Sequence, residues 1–229
     1  MCKQILVPLD GSAQAEAVLP YARQLAKSCG AELVLLRVAV ASPLALDPVV
    51  AWASAVEEAR DYVADLAERQ RDGEVKIIAR TRWGDPVEEI LAYVDEAHID
   101  LIAMTTHGRS GWKRWVLGSV AQTVLRRTSV PVLLVRAPEA PAAYRARGDM
   151  PMEIRHILAP TDFSEFSKKA IEYAFLLAQQ FGAKLSLLHV IEMPAFPVEG
   201  FVPPGPGATL LEDLEHHARL DLAGLLPEA

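Results

Sequence analysis

An α/β fold, a doubly wound five-stranded parallel sheet followed by a partial repeat of itself, is what this 229-residue sequence predicts. Three observations carry that reading. Short, near-continuous apolar runs alternate with segments of helical apolar spacing, the order that right-handed crossovers in a parallel sheet require. The runs themselves are apolar at consecutive positions, as strands covered on both faces must be. Lastly, the opening returns: Ile5, Leu6, Pro8, Asp10 and Ser12 recur as Ile157, Leu158, Pro160, Asp162 and Ser164.

Ile5 to Asp10 is the first strand, ending in a proline, a carboxylate and Gly11-Ser12. From Ala13 to Ser28 the spacing of Ala17, Val18, Tyr21, Ala22, Leu25 and Ala26 predicts one amphipathic helix, stopped by Gly30. Leu33 to Val38 is the second strand. Residues 41–54, with Pro43 and Pro48, read as a loop, and Val56, Ala59, Val63, Leu66 and Ala67 mark a helix over 55–71. Val75 to Arg82 is the third strand. Asp85-Pro86-Val87-Glu88 then combines an N-cap, a proline at the first helical position and a glutamate three residues past the cap, so a helix runs from there to Ala97. Asp100 to Thr106 is the fourth strand, Ser119 to Thr128 a helix, and Val130 to Arg136 the fifth strand.

Beyond Val135 the composition turns to proline, alanine and glycine, which reads as a semi-rigid linker. The expected division is a complete domain over 1–137, a linker over 138–152 and the front part of a second domain over 153–229. In that second part Tyr173, Ala174, Leu177, Ala178, Gly182, Leu185, Leu188 and Val190 repeat the first helix and second strand, residues 203–207 form a Pro/Gly loop, and 210–226 is helical. A half sheet leaves an edge and an apolar face open, so either the sequence is a piece of a longer protein or a partner covers the gap.

Composition bounds the function. With 51% hydrophobic and 23% charged residues the chain is a folding one. A net charge of −7 repels nucleic acid phosphates and anionic membrane surfaces, so neither is expected as a partner. Cys2 and Cys29 make neither a disulfide framework nor a zinc pattern and are read as reduced, structural thiols. The start lacks a long apolar signal segment, which points to the cytoplasm.

In such a sheet the ligand crevice lies beyond the carboxyl ends of the strands, where crossovers diverge. Three segments meet there: Asp10-Gly11-Ser12, the end of the second strand near Val38, and Thr106-His107-Gly108-Arg109-Ser110-Gly111, which leads to Gly118-Ser119 at a helix start. Glycines bring amides close to an anion, a helix N-terminus adds unpaired N–H groups, and Arg109 adds charge, so phosphate suits this loop. Such glycines also serve simply to turn a chain, and Asp10 equally suits a turn or helix cap. His107 lacks a visible nucleophile and is read as loop packing, Trp112 and Trp115 as core or interface packing, His216-His217 as a solvated pair, and Arg126-Arg127 as a helix C-terminal complement.

The spacing His107-Gly108 to Gly118-Ser119, followed by Val130-Pro131-Val132-Leu133-Leu134-Val135, resembles the nucleotide loop and last strand of the universal stress protein family, and Ile5–Asp10 and Ile157–Asp162 resemble its first strand. That resemblance implies an adenine nucleotide alpha-hydrolase-like, Rossmann-like fold and an ATP-binding regulatory module in stress response, with magnesium accompanying the ATP. It places Asp10 at the ribose, the backbone near Val38 at the adenine, and Gly108, Arg109, Gly118, Ser119 and Val120 at the phosphates, with Pro8 and Met104 also against the nucleotide. It further implies a homodimer through the fifth strand or the second half-domain. One position departs: the family's loop opens on a glycine where Thr105 stands. The second copy keeps Asp162 and Val190 but has no phosphate loop. Two other readings stay open, a slow ATP hydrolase, for which Asp10 is the only carboxylate placed and no Walker lysine follows the glycines, and a scaffold that binds no nucleotide.

Overall fold

A computed structural model describes residues 2–41, 45–106, 117–136, 154–192 and 207–225, the last segment with side chains from 212 onward. The chain divides into two compact units, Met1–Met152 and Glu153–Ala229. In the first, β1 (Gln4–Leu9), β2 (Glu32–Ala39), β3 (Ile77–Trp83), β4 (Leu101–Thr105) and β5 (Val132–Val135) form one sheet in the order β3-β2-β1-β4-β5. Every pairing is parallel, with Leu6 beside Val34 on one side and Ile102 on the other. The helices are α1 (Ala13–Glu16), α2 (Leu19–Cys29), α3 (Pro48–Arg69), α4 (Pro86–Glu96) and α5 (Ser119–Arg127).

The single helix expected over 13–28 is two. Pro20 has no N–H to give the Glu16 carbonyl and its ring crowds that group, so α1 ends at Glu16 and α2 starts afresh at Leu19 with Pro20 inside its first turn. A second correction concerns α3. It begins at Pro48 and not near Ala55, because the Asp47 side chain accepts from the Val49 and Val50 amides and Pro48 sits at N1. Asp85 caps α4 in the same way, at 2.9 Å from the Val87 amide and 3.1 Å from that of Glu88. Asp85→Ala leaves those donors without the carboxylate and is expected to cost about 1 kcal/mol. Urea denaturation of the full chain measures it.

Alternation within the strands divides the core. Leu6, Val34, Leu36, Val38, Ile102 and Met104 pack against Ile90 and Val94 of α4 and Ala121 and Val124 of α5. The intervening Ile5, Val7, Leu33 and Leu35 are buried toward the opposite face, where α2 lies against β1 and α3 against β2 and β3. Asp100 ties β4 to the chain's start by accepting from the Lys3 and Gln4 amides at 2.6 and 2.9 Å. Arg127 makes a two-pronged pair with Glu88, at 2.5 and 2.9 Å, joining α5 to α4 on an exposed surface where such pairs add little. Burial, with Cys29 and Asp100 nearby, pushes the Cys2 thiol up to about 11, which keeps it protonated.

The second unit holds β6 (His156–Pro160), α6 (Glu165–Phe181), β7 (Lys184–Leu188) and α7 (Gly207–Gly224). Its two strands pair in parallel. The turn after β6 copies the one after β1: Asp162 accepts from the Ser164 amide at 2.9 Å, and the hydrogen bonds from Ser164 and Ser167 hold its carboxyl down at about 2. Where Gly11 adopts φ 80°, however, Phe163 is at φ 64°, and its ring lies 4.3 Å from that of His189. Among the described residues no helix is long and apolar enough to cross a membrane.

Candidate functional site

The strand order fixes where a ligand can enter. The chain leaves β1 toward β2 on one side and leaves β4 toward β5 on the other, so the crossovers diverge between β1 and β4 and open a crevice at their carboxyl ends. A cavity of about 320 Å³ occupies that place, within the range of small-molecule sites. Pro8, Asp10, Val38, Met104, Gly118, Ser119 and Val120, all singled out from the sequence, line it together. Gly108 and Arg109 lie outside the described residues, as do His107, Trp112 and Trp115.

Each wall has a local cause. Asp10 follows the last residue of β1 and is held by Ser12, whose amide and hydroxyl donate to Asp10 Oδ1 at 2.9 and 2.6 Å. Ser12 Oγ in turn accepts from the Ala15 amide at 3.1 Å, capping α1. Gly11 in its left-handed conformation permits this reversal. The carboxylate is thus set in a fixed pose at the cavity wall. Arg37, one residue before Val38, also lines the cavity and donates to the Leu9 carbonyl at 3.3 Å. Behind this wall the Tyr62 hydroxyl donates to Glu16 Oε1 at 3.1 Å. Burial and the Glu16 carboxylate push the phenol far above its ordinary range, so Tyr62 stays a neutral donor.

The opposite wall is the start of α5. Its N-cap is Gly118, which makes no side-chain cap hydrogen bond, and Ser119, Val120 and Ala121 of the first turn line the cavity. First-turn amides have no acceptor within their own helix, and the dipole there favours an anion. The Gly118 amide donates to the Thr106 carbonyl at 2.8 Å and the Thr106 amide to that of Val135 at 2.9 Å, so the end of β4, the end of β5 and the start of α5 are clasped together. Thr105 is buried, closes β4 opposite Val135 and lines the cavity; its backbone is ordinary strand, so nothing in its conformation calls for glycine.

Sequence reasoning missed Leu9, Ala15, Arg37, Val40, Pro86, Ile90 and Ala121 in the lining. Pro86 and Ile90 belong to a helix whose start was legible, but its approach to the cavity is set by packing. Arg37 had a signal, a charge inside an apolar strand. Among the described residues Asp10 is the one carboxylate in the lining, and no group of three or more His, Cys, Asp or Glu is placed to hold a metal ion.

Comparison with known proteins bears on what such a cavity does. The family model described as Universal stress protein family matches residues 1–136 and 153–226. A universal stress protein of Methanocaldococcus jannaschii is 31% identical over 142 residues, covering 60% of this chain and 84% of that protein. One from Bacillus subtilis is 32% identical over 148 residues, covering 59% of this chain and all of its own length. Among solved structures, a universal stress protein from Archaeoglobus fulgidus superposes with a TM-score of 0.67 at 25% identity, over 94% of this chain and 72% of that one.

Proposed function

The chain belongs to the universal stress protein family, and from that premise we propose that its first unit binds ATP, carried with magnesium, as a regulatory nucleotide module. The observation that carries this reading is the pairing of two chemically different walls across one cavity. Asp10 offers a fixed carboxylate to sugar hydroxyls, and the amides opening α5 offer donors and a dipole to phosphates. Between them Val38 and Met104 supply an apolar surface for a base. Gly108 and Arg109 are proposed to extend the phosphate wall. Magnesium would offset the phosphate charge and be held chiefly by the phosphates, with Asp10 the only carboxylate at hand among the described residues.

Calorimetric titration of magnesium–ATP into the full chain tests the proposal, and saturable one-site binding is the expected result. Asp10→Ala removes the sugar contact and is expected to weaken ATP by about 10- to 100-fold. Its effect on dideoxy-ATP, which lacks the hydroxyls, should be much smaller. Equal losses for both nucleotides would place Asp10 elsewhere than at the sugar.

Thr105 in the lining, where the family's loop opens on a glycine, favours a second reading, a scaffold of this fold that takes no nucleotide. Absence of ATP binding by folded protein would select it. The partly buried apolar residues Val132, Leu133 and Leu134 on the edge strand β5 support the further reading that copies of the chain associate there.

A further inference from the structure

The chain has 2 cysteines, Cys2 and Cys29, and the fold brings both to the amino-terminal end of the sheet, the end opposite the cavity. Cys2 leads into β1, and Cys29 is the last residue of α2, just before the left-handed turn at Gly30 that feeds β2. The Glu32 amide donates to the Lys3 carbonyl at 2.8 Å and Gln4 pairs with Glu32, so the starts of β1 and β2 lie side by side. Two residues before that pair stand Cys2 on one segment and Gly30 on the other, with Cys29 next to Gly30. One strand spacing of about 5 Å and one residue step of about 4 Å then put the two cysteine Cα atoms within about 9 Å of each other. The electrostatics at Cys2 narrow that limit. Besides burial, its thiol feels Cys29 first and Asp100 second, although the Asp100 carboxylate is hydrogen-bonded to the Lys3 and Gln4 amides directly beside it. Coulombic influence falls with distance, so the Cys29 sulfur stands at least as near as that carboxylate. Both side chains are half-buried, held against the protein yet within reach of a small oxidant.

We infer that Cys2 and Cys29 form a reversible disulfide, a redox-sensitive staple between the start of β1 and the end of α2. The oxidant it takes is a small disulfide of the glutathione class. One cysteine thiolate attacks that disulfide, forming a mixed disulfide and releasing one glutathione. The other cysteine loses its proton to solvent and attacks the protein sulfur of the mixed disulfide, closing the Cys2–Cys29 bond and releasing the second glutathione. The protein gives up two electrons and two protons, and the oxidant becomes two thiols. Burial, with Cys29 nearby, holds the Cys2 thiol up at about 11, and in either order of attack one step needs the Cys2 thiolate. Closure is therefore slow near neutral pH and quickens as the pH rises toward about 9. What favours it is position: the paired strand starts hold the two residues together, and a disulfide needs Cα atoms no more than about 7 Å apart.

The test equilibrates the full chain with reduced and oxidised glutathione, traps it with acid, and reads it by intact mass and peptide mapping. A monomer lighter by two hydrogen atoms is expected, with the peptide holding Cys2 joined to the one holding Cys29. The effective concentration of the two thiols should be at least about 100-fold higher in the folded chain than in urea, where a flexible loop gives only about millimolar values. Cys2→Ser should leave Cys29 carrying glutathione and no internal bond. ATP titration is expected to be the same in both redox forms, since the staple and the cavity lie at opposite ends of the strands. The inference fails if folded chain, verified by far-ultraviolet circular dichroism, takes glutathione on both cysteines without closing. It fails equally if the bonds formed join separate chains, or if closure is no more favourable in the folded chain than in urea.

Discussion

Gly118→Asp is expected to abolish ATP binding by the full chain while leaving its thermal stability unchanged or slightly higher. The two effects separate because of where Gly118 stands. Its backbone, φ −58° and ψ 147°, is open to any residue, so a side chain there meets no conformational penalty. Aspartate is a better N-cap than glycine by a few tenths of a kcal/mol, and its carboxylate would accept from the first-turn amides of α5. Those are the donors proposed for phosphate. The substituted carboxylate therefore occupies the anion's place and repels what remains, and a loss of at least about 100-fold in affinity is expected. Calorimetry gives the affinity and differential scanning calorimetry the stability. Unchanged ATP binding in this variant would separate the nucleotide from α5 and reject the proposed orientation, whereas loss of binding with loss of fold would show Gly118 to be structural.

Leu6→Ala carries the largest expected cost in stability, about 2–5 kcal/mol. Leu6 lies in the central strand, fully buried between β2 and β4 and beneath the helices of one face, so the deleted atoms leave a void that neighbours on every side hold open. Leu158→Ala provides the control inside the same molecule. The residue and its place in the repeat correspond, with Ile157 matching Ile5 and Ala159 standing where Val7 does, yet the side chain is exposed, and a cost below about 1 kcal/mol is expected. Denaturant midpoints of the two variants check the contrast. Equal costs would mean that Leu158 is covered in solution by something the isolated chain already provides.

Local chemistry explains which features were legible beforehand. Asp85-Pro86 announced α4 because cap, proline and glutamate coincide. Asp47-Pro48 carries the same cap and proline for α3, but Pro43 and Pro48 together looked like a loop and hid it. The apolar spacing continues on both sides of Pro20, so periodicity, which follows side chains and is blind to a missing N–H, does not show the break there. The strand order was beyond reach, since it depends on which edges meet and not on any one segment. At the cavity, Asp10, Val38, Gly118 and Ser119 are legible from their place at strand ends and at a helix start, whereas Pro8, Met104 and Val120 are implied by the family resemblance. Arg37, Pro86 and Ile90 enter the lining through the twist of the sheet and the packing of α4, which no spacing encodes.

The clasp between Thr106 and Gly118 also bears on how this fold can be re-engineered. Because the two ends are tied by the Gly118 N–H, and Thr106 is tied again to Val135, whatever connects them is anchored on the sheet at both sides. Closing a longer connection across fixed ends costs only about 0.6 kcal/mol for each doubling of its length. The five-stranded frame is therefore expected to keep its stability when the connection between Thr106 and Gly118 is lengthened, and urea denaturation of length variants measures this.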